Sequence, residues 1–354
     1  MSTRTFRIAV LGGDGIGPEV CDQSVRVLRE IESRLNNVTF DFENHHVGVG
    51  EYRVSGNALP DTTFAACQSS DAVLLGAMGL PNVRYPNGKE IAPQLDLRER
   101  LGLYGGVRPI RLFNEADTPL KGYAAGEIDF VLVRESTEGL FYGRDAVLDP
   151  DADEAFDTMR ISRDCTLRVC RLAFEIARKR GGKKKVTLID KANVLSSMVF
   201  FRKVFDEVAA EFPDITADHC YVDASALFLV RDPQRFDVMV TENMFGDILS
   251  DLAAGLVGGM GMAPSGDIGA TAAVFQPSHG SAPDIAGLGV ANPIAMHLSA
   301  AMMLDWLDHP ECKRGAKMID DAVAKVLADP AKRTPDMGGK LSTTEITDEI
   351  LKAI

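Results

Sequence analysis

The stretch 6-FRIAVLGGDGIGPEV-20 decides the fold. Phe6 to Gly12 is an apolar run of strand length, and a glycine-rich turn follows it. Pro18 then suits the first turn of a helix whose apolar stripe is Val20, Val27, Leu28, Ile31 and Leu35. Strand, glycine turn and helix in this order invite a dinucleotide-binding reading. The spacing refuses it. From Gly13 the glycines run G-x-G-x-G, so the third falls one residue early for G-x-G-x-x-G. The turn is still suited to a close approach to a ligand.

Outward from this unit the pattern repeats. Val38, Phe40 and Phe42 alternate as a strand, and 71-DAVLLGAM-78, 128-IDFVLV-133, 186-VTLID-190 and 236-FDVMVT-241 read as buried strands between helical patterns. One helix opens at Ser162, carries Asp164 in its first turn, and closes on Arg178, Lys179 and Arg180 before Gly181-Gly182. Strands alternating with helices predict an α/β sheet protein. The basic run 178-RKRGGKKK-185 reads as a helix end plus a solvated loop, and 149-DPDADEAFD-157 as an exposed loop or arm.

With 354 residues, 45% of them hydrophobic and 25% charged, the chain fits about two globular domains. The net charge of -13 argues against nucleic acid or an anionic membrane as partner. An acidic substrate would need a local basic pocket. The six cysteines are dispersed, without a CxxC pair, and read as reduced thiols filling a core. No apolar stretch is long enough to span a bilayer and no signal-peptide pattern is present, so a cytoplasmic location is expected.

The chemistry concentrates in a few runs. In 241-TENMFGDILSDLAAGL-256, Asp247 and Asp251 stand four residues apart, on one helical face. Like charges so placed repel, which suits either a solvated acidic face or a hard cation between them. Arg98, Arg108 and Arg134 lie near element ends, and guanidinium forks match carboxylates, although a lone Arg is more often a surface ion pair. Lys191 and Asn193 leave a buried strand, where a partly desolvated lysine suits a proton acceptor. Asp223 opens a helix, and locally an N-cap role is favoured. The segment 276-QPSHGSAPDIAGLGVANP-293 reads as a long functional loop. In it Asp284 suits a ribose diol and repels a 2′-phosphate, while His279 reads equally as a ligand contact or a satisfied loop histidine.

Taken in order, GDGIGPEV, LDLRERLGLYGGVRP, VRESTEG, DKANVL, YVDASA, TENMFGDILSDLAAGL and HGSAPDIAG…ANP closely resemble the β-decarboxylating dehydrogenases, the isocitrate and isopropylmalate dehydrogenase family. The resemblance covers nearly the whole chain. It implies a two-domain isopropylmalate-dehydrogenase-like α/β fold, not a classical Rossmann fold. Residues 1–103 and 258–354 would form a cofactor-binding domain, and 104–257 a dimerisation and metal/substrate domain. It implies NAD-dependent oxidation and decarboxylation of a malate-type acid, with Arg98, Arg108 and Arg134 on the carboxylates and Asn193 nearby. Asp247 and Asp251, with Asp223 from a second subunit, would bind Mg²⁺ or Mn²⁺, and Lys191, also from the partner, would be the base. A homodimer with shared sites follows. His279, Gly280, Ser281, Ala282, Asp284, Ile285 and Asn292 would line the cofactor site, and Asp284 with Ile285 implies NAD rather than NADP.

The chain departs from the family it resembles at a sensitive position. The family's catalytic tyrosine lies seven residues after the third arginine, where this chain has Phe141, with Tyr142 beside it. In 84-RYPNGKEIAPQLDLR-98, Ile91, Gln94 and Leu95 would face the substrate's variable C3 group. Ile91 and Leu95 suit isopropyl, whereas Gln94 suits a hydroxyl or carboxylate. The expected substrate is of 3-isopropylmalate type. The alternatives are a D-malate, tartrate, isocitrate or homoisocitrate type, or, in a different class, a non-catalytic regulatory subunit.

Overall fold

The computed structural model describes residues 3–146 and 151–354. Among these residues there are ten strands: β1 Arg4–Gly13, β2 Val38–Asn44, β3 Ala72–Ala77, β4 Gly105–Arg111, β5 Asp129–Glu135, β6 Lys185–Asp190, β7 Thr216–Tyr221, β8 Val238–Thr241, β9 Pro264–Ile268 and β10 Ala273–Pro277. Eleven helices accompany them: α1 Gly17–Arg34, α2 Val49–Ser55, α3 Asp61–Ser69, α4 Pro93–Leu101, α5 Arg163–Arg180, α6 Ser196–Ala209, α7 Val222–Arg231, α8 Asn243–Gly255, α9 Ile294–Trp306, α10 Pro310–Leu327 and α11 Thr343–Ala353. The strands form one sheet in the order β2-β1-β3-β10-β9-β4-β5-β8-β6-β7. Its two wings are parallel. The centre is antiparallel, through β10/β9, β9/β4 and β4/β5. That order is not the two-halved parallel sheet of a Rossmann domain, so the refusal read from the glycine spacing holds.

The expected strands all form, as does the Ser162 helix. Its cap is the one the sequence implies: the Ser162 hydroxyl accepts from Cys165 N–H, and Gly181 ends the helix in the left-handed region. The basic run after it is tied down locally, with Arg178 on Asp214, Arg180 on Asp129 and Asp237, and Lys185 on Asp218. Asp149 and Pro150 of the acidic segment lie outside the described residues, and 151–157 are exposed.

Two large cores flank the sheet centre. In the first, α1, α9, α10 and α11 bury Val20, Leu28, Ile31, Leu304, Ile319 and Ile350 against Ile8, Leu74 and Phe275. In the second, α5 and α6 bury Val169, Phe174, Phe201 and Phe205 against Val133, Val186 and Val238. Each such large side chain, taken fully out of water, contributes about 1.5–3 kcal/mol. No helix is long and apolar enough to cross a membrane among the described residues. All six cysteines are free thiols, five of them buried.

The glycine turn has a structural job. The Asp14 carboxylate accepts from Val49, Gly50 and Gly79 N–H, at 2.8, 2.9 and 2.9 Å. Ile16 N–H donates to the Ser281 carbonyl at 2.8 Å. The turn therefore comes close to the chain itself, clasping the 281 segment.

Candidate active site

Three guanidiniums converge where the sheet changes from parallel to antiparallel. Arg98 sits in the last turn of α4, Arg108 within β4 and Arg134 near the end of β5, at 7%, 5% and 2% exposure. Surface ion pairs are thereby excluded for all three, and Arg108 proves to lie inside a strand instead of at its margin. Burial pushes the Arg134 guanidinium down to about 10, with the Arg98 charge adding to the effect. Arg108 is lowered too, first by burial. Cations held this way call for anions.

The anions come from α8 and β9. Glu242 caps α8, accepting from Met244 and Phe245 N–H at 3.1 and 2.6 Å. The helix turns Asn243 and Asp247 onto Arg134: Asn243 Oδ1 accepts from Arg134 Nε at 3.0 Å and from Nη2 at 2.6 Å, and Asp247 pairs with Nη1. Gly246 makes this possible, because a Cβ there would lie 2.7 Å from Arg134 Cβ and Cγ. Asp247 is half exposed, and Asp251 stands one turn on. Burial and then the Asp247 charge raise the Asp251 carboxyl above its usual range. A repelling pair on an exposed helix face fits the donor set of a hard divalent cation.

Asp223 does not join them. It lies in the first turn of α7, whose N-cap residue is Tyr221, so the capping role is corrected. Its carboxylate pairs with Lys191 Nζ at 2.9 Å, a bond that lowers it below the usual range. Among the described residues of one chain no three His, Cys, Asp or Glu side chains come together to hold a metal. Lys191 is a quarter exposed and Asn193 is exposed.

Phe141 and Tyr142 occupy a 3-10 turn, Leu140–Gly143. The Phe141 ring lies 5.2 Å from the Arg134 guanidinium carbon, whereas Tyr142 is 52% exposed and stacks under Arg160 at 4.6 Å. On the other side, Gln94 and Leu95 are half-buried, and Gln94 Oε1 is buried without a hydrogen-bond partner. Ile91 is wholly buried in a small cluster with Val49 and Ala58. Its side chain is spent on packing, which corrects its expected contact with the C3 group.

The 276–293 segment begins in β10, so Gln276 and Pro277 are strand residues and the loop starts after them. The Ser281 hydroxyl donates to the Gly79 carbonyl, and Ala282 takes φ 37°. Asn292 donates to Asp336 at 3.1 Å and accepts from Ile294 N–H at 3.0 Å, bracing the start of α9. Gly280 and Asp284 are exposed and Ile285 packs on the first core. His279 Nδ1 lies 2.9 Å from the Gly280 carbonyl, Nε2 is buried without a partner, and burial lowers the imidazole.

Two residues escaped the sequence reading. Ser278 accepts from Arg108 Nη1 at 2.7 Å. Asp267, 1% exposed in β9, accepts from Arg98 Nε at 3.0 Å and Gln276 Nε2 at 2.7 Å. A carboxylate between Gly266 and Ile268 in a buried stretch was the available signal, since Asp is almost never fully buried unless paired.

Comparison with known proteins gives a consistent result. Residues 7–350 match a family model described as isocitrate/isopropylmalate dehydrogenase. The chain is 44% identical to the 3-isopropylmalate dehydrogenase of Bacillus subtilis, over 98% of this chain and 97% of that one. It is 41% identical to the enzyme of the same name from Aquifex aeolicus, over 99% and 97%. Among solved structures it is similar to isocitrate dehydrogenase from Methylococcus capsulatus, with 36% identity, a TM-score of 0.87 and coverage of 98% and 99%. It is also similar to a β-decarboxylating dehydrogenase from Thermococcus kodakarensis, with 38% identity, a TM-score of 0.81 and coverage of 98% and 96%.

Proposed function

The chain belongs to the isocitrate/isopropylmalate dehydrogenase family, and from that premise we propose that it catalyses NAD-dependent oxidative decarboxylation of a 3-substituted malate of the 3-isopropylmalate type. The convergence of Arg98, Arg108 and Arg134 beside Asp247 carries the reading. Three buried guanidiniums form the local basic pocket that a chain of net charge -13 needs for an acidic substrate. They would orient the malate carboxylates, and Asn193 would border the site.

Asp247 and Asp251, with Asp223 of a second copy, would hold Mg²⁺ or Mn²⁺, which supplies Lewis-acid polarisation of the hydroxyl and carbonyl oxygens when bound. Lys191 Nζ of that second copy would take the hydroxyl proton, with Asp223 steadying it. Phe141 packs beside the carboxylate site and excludes water, but it has no proton to give. Sharing of the site is supported by the separation of Asp223 from Asp247 and Asp251 within one chain. Homodimerisation is supported by Val194, Val199, Tyr221, Leu227, Val230 and Ile248, all at least 40% exposed near those residues. The segment from His279 to Asn292 would receive NAD. Asp284 there would accept from a ribose diol and repel a 2′-phosphate. The separate cores support a division into residues 1–103 with 258–354 and residues 104–257.

A panel of 3-substituted malates, assayed for NADH with Mg²⁺ or Mn²⁺, tests the reading. The 3-isopropyl compound should give the highest kcat/KM, with NAD preferred to NADP. Nucleotide binding without NADH from any member would leave a non-catalytic subunit instead.

A further inference from the structure

The chain holds two kinds of buried arginine–carboxylate pair. Arg333 and Asp117 form a closed fork, Nε to Oδ1 at 2.8 Å and Nη2 to Oδ2 at 2.9 Å, with both side chains below 5% exposure. All the acceptor capacity of that carboxylate facing the guanidinium is used, as in a structural pair. Arg98 and Asp267 are as deeply buried and are arranged differently. Arg98 touches Asp267 side-on, through Nε alone at 3.0 Å, and this is the one hydrogen bond of its guanidinium among the described residues. Asp267 Oδ2 also accepts from Gln276, while Oδ1 is buried with no partner at all. Its neighbour across the ladder, Gly106, leaves room for it: a Cβ there would lie 3.2 Å from Oδ1. Leaving an oxygen of a buried carboxylate unsatisfied costs free energy that a purely structural pair would avoid. What this arrangement achieves is to fix Arg98 by its stem side and leave its terminal nitrogens unclaimed.

Asp267 also sets a charge. The Arg98, Arg108 and Arg134 charges together hold its carboxyl below the usual range despite burial, so it stays ionised. It therefore cancels one of three guanidinium charges. With Asp247 taken up by a divalent cation, two guanidinium charges of the cluster would remain uncancelled for the substrate's carboxylates. We propose that Asp267 is a specificity-determining positioning residue. It presents the terminal nitrogens of Arg98 to a substrate carboxylate and limits the cluster to dicarboxylates, against tricarboxylates. This rests on the reading of the cluster as the carboxylate site, and it extends that reading to the charge of the C3 substituent, which must be neutral.

The test is calorimetric binding of two unreactive ligands to the Mg²⁺-saturated protein: isopropylsuccinate, a dianion, and tricarballylate, a trianion. The wild type should bind the dianion more tightly. Asp267→Asn keeps the shape and removes the charge, so the affinity ratio should move roughly tenfold toward tricarballylate, as expected for one charge acting at short range in a partly screened site. Asp267→Glu should restore the wild-type ratio. Equal loss of both affinities in Asp267→Asn, with the ratio unmoved, would reduce Asp267 to a structural role. Should that variant fail to fold, the wild type still decides: tricarballylate should bind more tightly as pH falls through its third ionisation, and isopropylsuccinate should show no such gain. Binding of tricarballylate that does not tighten there overturns the proposal. Normal dicarboxylate binding without NADH from any malate would instead overturn the reaction and leave this inference standing.

Discussion

The two wings of the sheet differ in how completely one chain finishes them. Around β1, β3 and β10 the packing closes. Helices α1, α9, α10 and α11 bury a continuous core, and even a polar group inside it, His297, is satisfied by Ser24 at 2.7 Å and Thr347 at 3.3 Å. Around β8, β6 and β7 it does not close. Leu227 and Val230 on α7, Val199 on α6 and Ile248 on α8 remain 47–58% exposed, and β7 is an edge strand with no further partner among the described residues. Lys191, Asp223, Asp247 and Asp251 all lie on this unfinished wing, yet within one chain Lys191 and Asp223 pair with each other and do not join Asp247 and Asp251 among the described residues. A surface of this kind on a water-exposed protein marks an interface. On the proposed reading, a second copy would cover this surface and bring its Lys191 and Asp223 with it.

The largest effect should come from metal removal. Chelation should abolish NADH formation, and Mg²⁺ or Mn²⁺ should restore it. The fold should survive, because α8 is held by Leu249, Ala253 and Ala254 on its buried face and by the Glu242 cap, none of which needs the cation. Undiminished turnover in chelator would break the assignment of Asp247 and Asp251.

Complementation probes the unfinished wing directly. Lys191→Ala should cost turnover about 10²–10⁴-fold, the range of a lost acid–base group, and Asp251→Asn should weaken metal binding and turnover with it. If the site is shared, a heterodimer of the two variants has one site with both defects and one with none. Mixing and subunit exchange should then recover about a quarter of wild-type activity by random pairing. No recovery, with exchange confirmed by mass, would place Lys191 and Asp251 in one chain's site.

The closed wing should fail first in acid. Burial pushes the His297 imidazole down to about 3 from 6.5. The unfolded chain then binds a proton that the folded chain refuses. Its contribution to stability is complete above about pH 6.5 and is lost as pH falls from there toward 3, by about 1.4 kcal/mol per pH unit. His297→Asn should flatten the dependence of Tm on pH across that window. An unchanged slope would assign acid unfolding to other groups.

Much of this was legible from residues. Most of the strands from 6–12 to 236–241 read as apolar runs because they are buried on both faces, whereas β2, with its outer residues exposed, read by the alternation of Val38, Phe40 and Phe42. Strand β4 was not delimited, and β7, β9 and β10 were not read. β7 is an exposed edge of sequence TADHCY, and β9 contains Pro264, Gly266 and Asp267, all poor strand formers. Tertiary pairing overrides propensity at both. The same override hid the carboxylate on β9: Asp267 meets Arg98 of α4 only through the fold, 169 positions away in sequence. Ile91 failed in the opposite sense. The family resemblance grouped it with Gln94 and Leu95, and packing against Val49 took its side chain away.

The smallest predicted change is the most pointed one. A proton donor at the site must reach it, and the 3-10 turn at Leu140–Gly143 frees this pair from the strict alternation of a strand, so an exchange of roles was sterically open. The side chains have not exchanged. Phe141 faces Arg134, while the Tyr142 ring lies under the Arg160 guanidinium at 4.6 Å and is half in solvent. An exposed cation–π contact of this kind contributes about 0.5–1 kcal/mol, and it holds the hydroxyl on the outer side. Tyr142→Phe keeps the ring and the contact, so turnover should change by less than about twofold, whereas a lost general acid would cost about 10²–10⁴-fold. Phe141→Tyr supplies a hydroxyl beside Arg134 and should raise the yield of decarboxylated product per NADH formed. A strong loss in Tyr142→Phe would mean that closing the site around substrate swings this turn inward, and the wing left open by one chain would then include its proton donor.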